Sequence, residues 1–197
     1  MTNPYLSAAE RQCLERVKIG IAGLGGLGSN AAAHLVRAGV RRLALCDFDT
    51  VSVSNLNRQF FFRDQLGQTK VAALADNLRR IEPDLELELC DRRLDVGGVK
   101  AFFAGCDILI EALDLAATKA LFYNAVLPWG RPVIGASGLA GFGRTADMRV
   151  KRLGNLYLVG DGISDVEGDL KPQSPRVGIA AAMEANIALA LALDKEI

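Results

Sequence analysis

Residues 18–29 read KIGIAGLGGLGS, and this run constrains the fold more than any other part of the chain. Ile19, Ile21 and Ala22 make a short apolar stretch, the pattern of a buried strand. Gly23, Gly25, Gly26 and Gly28 follow, and an alanine-rich helical run covers 30–38. Strand, tight glycine turn and helix, in that order, bring bare backbone N–H groups and a helix N-terminus up to a phosphate. Gly23, Gly25 and Gly28 satisfy GxGxxG, a spacing that implies a nucleotide without naming which one or what chemistry. A glycine cluster that only turns the chain satisfies it too.

The rest of the composition narrows the class. A chain of 197 residues, half of them apolar, suits one domain with a sizeable core. With 23 acidic and 23 basic residues the formal charge is zero, so no global field recruits nucleic acid or anionic lipid. Cys13, Cys46, Cys90 and Cys106 form no CxxC pair, which predicts reduced thiols in a cytoplasmic protein and no zinc site. The N-terminus has no apolar run of signal-peptide type. The apolar C-terminal run is broken by Glu184 and Asn186, so no membrane span is expected.

Residues 1–16 form a helical arm in this reading, with Ser7 as N-cap and Glu10 completing a capping box. Gly39 stops the helix after the glycine turn. Strand 42–47 ends on Asp47, about twenty residues past the turn, where an acid binds ribose hydroxyls in dinucleotide folds. Asp49 follows. A long polar linker then carries Asn55, Asn57, Arg58 and Gln59, and Lys70 comes just past Gly67. A guanidinium fork and a compact ammonium beside a glycine turn suit a triphosphate; two solvent-facing loop cations are the plain alternative. Phe60, Phe61 and Phe62 pack the linker down or fill a subunit contact. Residues 70–81 show helical periodicity ending before Pro83, 85–89 an edge strand, 99–103 a short helix and 107–112 a buried strand. Asp114 stands at that strand's C-terminal end, the side on which open parallel sheets bind ligands. His34, the single histidine, falls inside a helix and reads as structural.

Further on come a helix over 116–127, a buried strand over 132–136, and a glycine-rich stretch over 137–143 that is either a loop beside the ligand or a tight turn. Residues 145–152 and 156–159 pair as strands about a Gly154-Asn155 turn. The polar 161–174 stretch is a loop that covers the site or is simply solvated, and 175–195 is a helix apolar nearly all round, buried on several sides. The expected fold is one α/β domain over 1–197: Rossmann-like, a mostly parallel sheet with helices on both faces and a short antiparallel extension.

GLGGLGSN at 23–30, DFDTVSVSNLNRQ at 47–59, GQTK at 67–70 and Asp114 after a buried strand carry a family likeness. The chain resembles the E1-like adenylyltransferases that activate ubiquitin-like proteins. It looks most like the short bacterial ThiF-type form that activates the sulfur carrier of thiazole (thiamine) synthesis. The resemblance implies ATP and Mg²⁺ as cofactors. It implies a small ubiquitin-like carrier with a diglycine tail as partner, and a homodimer. It places Asp47 on the adenosine ribose, Asn55 and Arg58 on the phosphates, Lys70 on phosphate and developing charge, Gln59 in the same site, and Asp114 on the metal. Arg11 is the match for an arginine that reaches across the dimer.

The chain departs from the longer relatives. It lacks their zinc-binding CxxC pairs, reads Asp114-Leu115 where they have aspartate–asparagine, and has no cysteine after Cys106 to carry a thioester or persulfide. The implied reaction joins ATP and a carrier C-terminal carboxylate into an acyl-adenylate with release of pyrophosphate. It needs no general base, because the carboxylate is already ionised. Activation of another sulfur carrier, a nucleotide-binding scaffold without catalysis and a redox dehydrogenase are the competing readings; Arg58, Lys70 and Asp114 argue against the last two.

Overall fold

The computed structural model describes residues 3–164 and 171–197. Seven strands form one sheet among the described residues: β1 (Lys18–Ala22), β2 (Arg42–Cys46), β3 (Glu86–Cys90), β4 (Ile108–Glu111), β5 (Val133–Ala136), β6 (Arg149–Leu153) and β7 (Leu156–Gly160). Their order is β3-β2-β1-β4-β5-β7-β6, with every neighbouring pair parallel except β6 against β7. Strand order reverses between β1 and β4, which opens a crevice at their C-terminal ends.

Alternate strand residues divide the core into two. Ile19, Ile21, Leu43, Leu45, Ile108, Ile110 and Ile134 face one side, where α1 (Ala8–Arg16), α2 (Gly26–Ala38), α3 (Lys70–Arg79) and α6 (Ser174–Ala192) pack. Ala22, Ala44, Cys46, Leu109 and Val133 face the other, covered by α4 (Val96–Phe103) and α5 (Ala116–Val126). The second face carries smaller strand residues because its helices bring the bulk. Phe103 and Phe122 are fully buried and meet edge to face at 5.6 Å, each contributing about 2–3 kcal/mol by burial. Gly20 makes room for them: a Cβ there would lie 2.6 Å from the Phe103 ring.

The first helix after the turn starts earlier than periodicity predicts. Sequence alone put its start at Asn30; the structure starts α2 at Gly26, so half of the glycine turn is already helix. Glycines lower apparent helical propensity, which hid this first turn. The capping box at Ser7 and Glu10 is formed, with Ser7 Oγ accepting from Glu10 N at 3.2 Å. Gly39 closes α2 at φ 118°. In the β6–β7 hairpin the 145–147 segment is a 3-10 turn, and the strand begins only at Arg149. β6 lies at the sheet edge, with all its residues exposed. The α4 helix starts at Val96, capped by Asp95.

α6 spans 19 residues with mean hydropathy 1.2, long and apolar enough by those measures alone to cross a membrane. Its small residues pack against α2 and the sheet, and it also buries Arg176 and Glu184. The 161–174 loop expectation falls partly outside the described residues, which leave out Asp165, Glu167 and Asp169.

Candidate active site

The crevice at the switch point is a cleft of about 810 Å³. Gly23, Gly25, Gly26, Asp47, Asp49, Arg58, Gln59, Lys70 and Asp114 all line it. Residues separated by up to 91 positions in the chain (from Gly23 to Asp114) thus meet around one space.

The glycine turn is built by close approach. Gly23 has φ +90°, and a Cβ there would sit 2.5 Å from the Ala112 carbonyl, so its bareness admits the β4–α5 turn against the loop. Gly28 lies behind the turn, not in the cleft: its Cβ would lie 1.9 Å from Gly23 O. No side chain caps α2 at Gly25 among the described residues, and its first turn, through Gly26 and Leu27, lines the cleft.

Asp47, at the end of β2, is buried and holds the turn. Its Oδ2 accepts from Leu24 N at 2.6 Å and its Oδ1 from Asp49 N at 2.8 Å. Burial raises its pKa, against the pull of Lys70 and the two backbone N–H groups. A carboxylate has acceptor capacity beyond these two bonds. Lys70 opens α3 behind its Thr69 cap and is itself buried. Its Nζ donates to Asp49 Oδ2 at 2.7 Å and lies 3.9 Å from Asp47 Oδ2.

Arg58 lies across the start of α2. A Cβ on Gly26 would lie 3.4 Å from Arg58 Cγ, and the guanidinium donates to Ser54 O and to Asn57 Oδ1. Two residues of the GSN run, to which sequence reasoning gave no role, stitch this linker to the helix. Ser29 Oγ accepts from Phe60 N at 3.0 Å, and Asn30 Nδ2 donates to Arg58 O at 2.9 Å. Gln59 is buried beside Gly25, and its Oε1 has no partner among the described residues. Phe61 is buried, whereas Phe62 is exposed under the Arg80 guanidinium.

Two more expected residues, Asn55 and Arg11, stand apart, and His34 lies outside the site as its structural reading requires. Asn55 does not line the cleft; its Oδ1 accepts from Ser52 N and shapes the linker's short 3-10 turn. Arg11 sits on α1, before β1, and donates to the carbonyls of Leu6 and Asn3. His34 is exposed on α2, outside the cleft. Asp114 is exposed on the cleft wall, its carboxylate without a hydrogen bond or ion pair among the described residues. No group of three or more metal-ligating side chains occurs among those residues.

Sequence reasoning also missed two buried charge clusters near the cleft. Glu111 ends β4 fully buried and accepts from Lys119, Tyr123 and Leu113 N. Burial and the Glu111 charge push the Tyr123 phenol far up, so it stays a donor. Glu184, on α6, is fully buried with neither oxygen partnered among the described residues. Arg176 donates to Asp161 at 2.5 Å and to Gly143 O at 2.7 Å, tying the glycine-rich 137–143 loop to the start of α6. Burial raises the Asp161 pKa, but backbone bonds from Ser164 and Ile163 and the Arg176 charge outweigh it, leaving the carboxyl below its usual range. The available signal was a charged residue inside an apolar run: Glu in DILIEA and Glu in AAMEANIA.

A profile of the ThiF family matches residues 2–194. The chain is 38% identical over 110 residues to the molybdopterin-synthase adenylyltransferase of Salmonella typhimurium, covering 55% of this chain and 44% of that protein. It is 44% identical over 110 residues to ubiquitin-like modifier-activating enzyme 5 of Oryza sativa subsp. japonica, covering 51% and 26%. The chain therefore spans less than half the length of these curated relatives. Its fold matches the Escherichia coli tRNA N6-threonylcarbamoyladenosine dehydratase solved with AMP, at TM-score 0.87 and 22% identity, over 94% of this chain and 90% of that one. It also matches Escherichia coli MccB solved with ATP, at TM-score 0.73 and 20% identity, over 94% and 58%. The chain belongs to the ThiF family.

Proposed function

We propose that this ThiF-family chain uses ATP to adenylate the C-terminal carboxylate of a small ubiquitin-like sulfur carrier protein. The observation that carries the proposal is the meeting of a glycine-turn helix N-terminus, Asp47, Arg58, Lys70 and Asp114 in one cleft. A dinucleotide site for hydride transfer has no use for that pair of cations; a triphosphate attacked at its α-phosphate does.

Each side chain has a task. The N–H groups at the start of α2 receive phosphate oxygens. Asp47 holds the ribose while keeping the turn in shape. Arg58 and Lys70 offset the repulsion between the carboxylate nucleophile and the anionic α-phosphate, and they stabilise charge that builds on phosphoryl oxygens. Lys70 reaches that role by exchanging part of its contact with Asp49 for phosphate. Gln59, buried beside Gly25, backs the glycine turn within the same site. Asp114 suits Mg²⁺: a lone unpaired carboxylate on the cleft wall is what a metal that also takes substrate phosphates and water requires. Bound there, the ion supplies Lewis-acid neutralisation of phosphate charge.

The protein acts as a homodimer in this proposal, with Arg11 donated to the neighbouring site. The carrier is the thiazole-type one suggested by the short bacterial form, or a molybdopterin-synthase subunit as the Salmonella relative's name suggests. ATP–pyrophosphate exchange with each diglycine-ended carrier in turn separates the two. Exchange with one of them, lost on Lys70→Met, is the expected result. A folded protein that exchanges pyrophosphate with no such carrier overturns the proposal.

A further inference from the structure

The β4–α5 turn is closed by a single buried carboxylate. Glu111 is the last residue of β4 and has no exposure. Its Oε1 accepts from Leu113 N at 2.7 Å, two residues on. The same two oxygens accept from Lys119 Nζ at 3.0 and 2.9 Å, eight residues on and already in the second turn of α5. Tyr123 OH, one further turn along, donates to Oε2 at 2.6 Å. The stretch between Glu111 and Lys119 is therefore a ring shut by one side chain, and Asp114 stands inside it. From the opposite side Ala112 N donates to Ala22 O at 2.8 Å, and the Ala112 carbonyl packs where the Cβ of Gly23 would be. Asp114 itself makes no bond among the described residues, so nothing on its own side chain sets its place.

From this geometry we infer that Glu111 and Lys119 are positioning residues for Asp114. The inference rests on the adenylation proposal for its functional consequence, but not for its structural one. Lys119 matters as the counter-charge. Glu111 has no exposure, and a buried carboxylate is costly unless paired and hydrogen-bonded, so loss of Lys119 loosens the cluster that holds Leu113 N. Glu184 comes close enough to be felt by both and has no partner of its own. The cluster therefore has one lysine for two carboxyls, and removing that lysine leaves Glu111 without an ionic partner. Lys119 also touches Ala136 O at 3.4 Å, at the end of β5, which links the turn to the adjoining strand. Ser137, next in the chain, lines the same cleft.

The test uses the full chain with Lys119→Met and Lys119→Arg. On the protein without nucleotide, hydrogen exchange over 112–118 should speed up about tenfold in Lys119→Met and stay near wild type in Lys119→Arg. In ATP–pyrophosphate exchange, the half-saturating Mg²⁺ concentration should rise about tenfold in Lys119→Met, with most of the rate recovered at saturating Mg²⁺. In an Asp114→Asn background the same substitution should add less than about a twofold loss, because what it positions is already gone. Unchanged exchange protection over 112–118 overturns the inference. So does a rate loss independent of Mg²⁺ that multiplies with Asp114→Asn. If the wild-type protein adenylates no carrier, the functional proposal fails, and the hydrogen-exchange comparison still decides whether this carboxylate clamps the turn.

Discussion

Replacing Glu184 should change how stability depends on pH, and the structure fixes the sign. Glu184 is fully buried and unpartnered among the described residues. Burial first, and the charge of Glu111 second, raise its pKa well above the ordinary 4.5, with Lys119 pulling weakly the other way. Above pH 4.5 the unfolded chain releases this proton while the folded chain keeps it. Unfolding then releases a proton, so this group makes stability fall as pH rises, at about 1.4 kcal/mol per pH unit, until the folded carboxyl itself titrates. Glu184→Gln and Glu184→Met cannot titrate. Their stability relative to wild type should therefore grow as pH rises above about 5, at up to about 1.4 kcal/mol per pH unit for as long as the folded carboxyl keeps its proton, whatever constant offset each side chain introduces. Each such pH unit is a sizeable part of a domain's typical net stability of about 5–15 kcal/mol. The assay is urea denaturation at several pH values, followed by fluorescence of the single tryptophan, Trp129. Other titrating groups cancel in the difference. Curves for variant and wild type that stay parallel as pH rises above about 5 would refute the reasoning, because Glu184 would then be ionised in the folded protein.

Two further outcomes follow from the site. Gly28→Ala should cost about 3 kcal/mol in the same urea titration, since the new methyl would lie 1.9 Å from Gly23 O; a loss below about 1 kcal/mol would mean that α2 can shift away from the turn. Arg11→Ala and Asp114→Asn should each cripple adenylation alone. Mixed and re-associated, they should on the proposed homodimer recover about a quarter of wild-type activity, because half the dimers would be hybrids with one intact site, and no recovery would remove the cross-dimer role of Arg11.

Much of the site was legible because its parts are local signatures. A strand, four glycines and a helix, in that order, announce the turn that lines the cleft. Asp47 ends a strand, and Arg58 and Lys70 punctuate a linker whose polarity no core explains. Other features escaped because their partners are remote. Ser29 and Asn30 look like ordinary first-turn residues until Phe60 and Arg58 come to lie over them. Glu111 looks like the polar end of a strand until Lys119 and Tyr123 return one helix later. The start of α2 was misplaced because glycine propensity opposes helix, while the close packing of Gly28 against Gly23 demands it.

By itself the sequence determined the class of fold, the strand and helix identities and the strand, glycine turn and helix arrangement. Those follow from periodicity and backbone freedom over a few neighbouring residues. Only the tertiary structure decided which charges are buried and with whom: Lys70 between Asp47 and Asp49, Glu111 under Lys119, Glu184 alone. Burial is a property of the whole packed chain, and in a low-dielectric interior each charge takes its state from neighbours that lie far away in sequence.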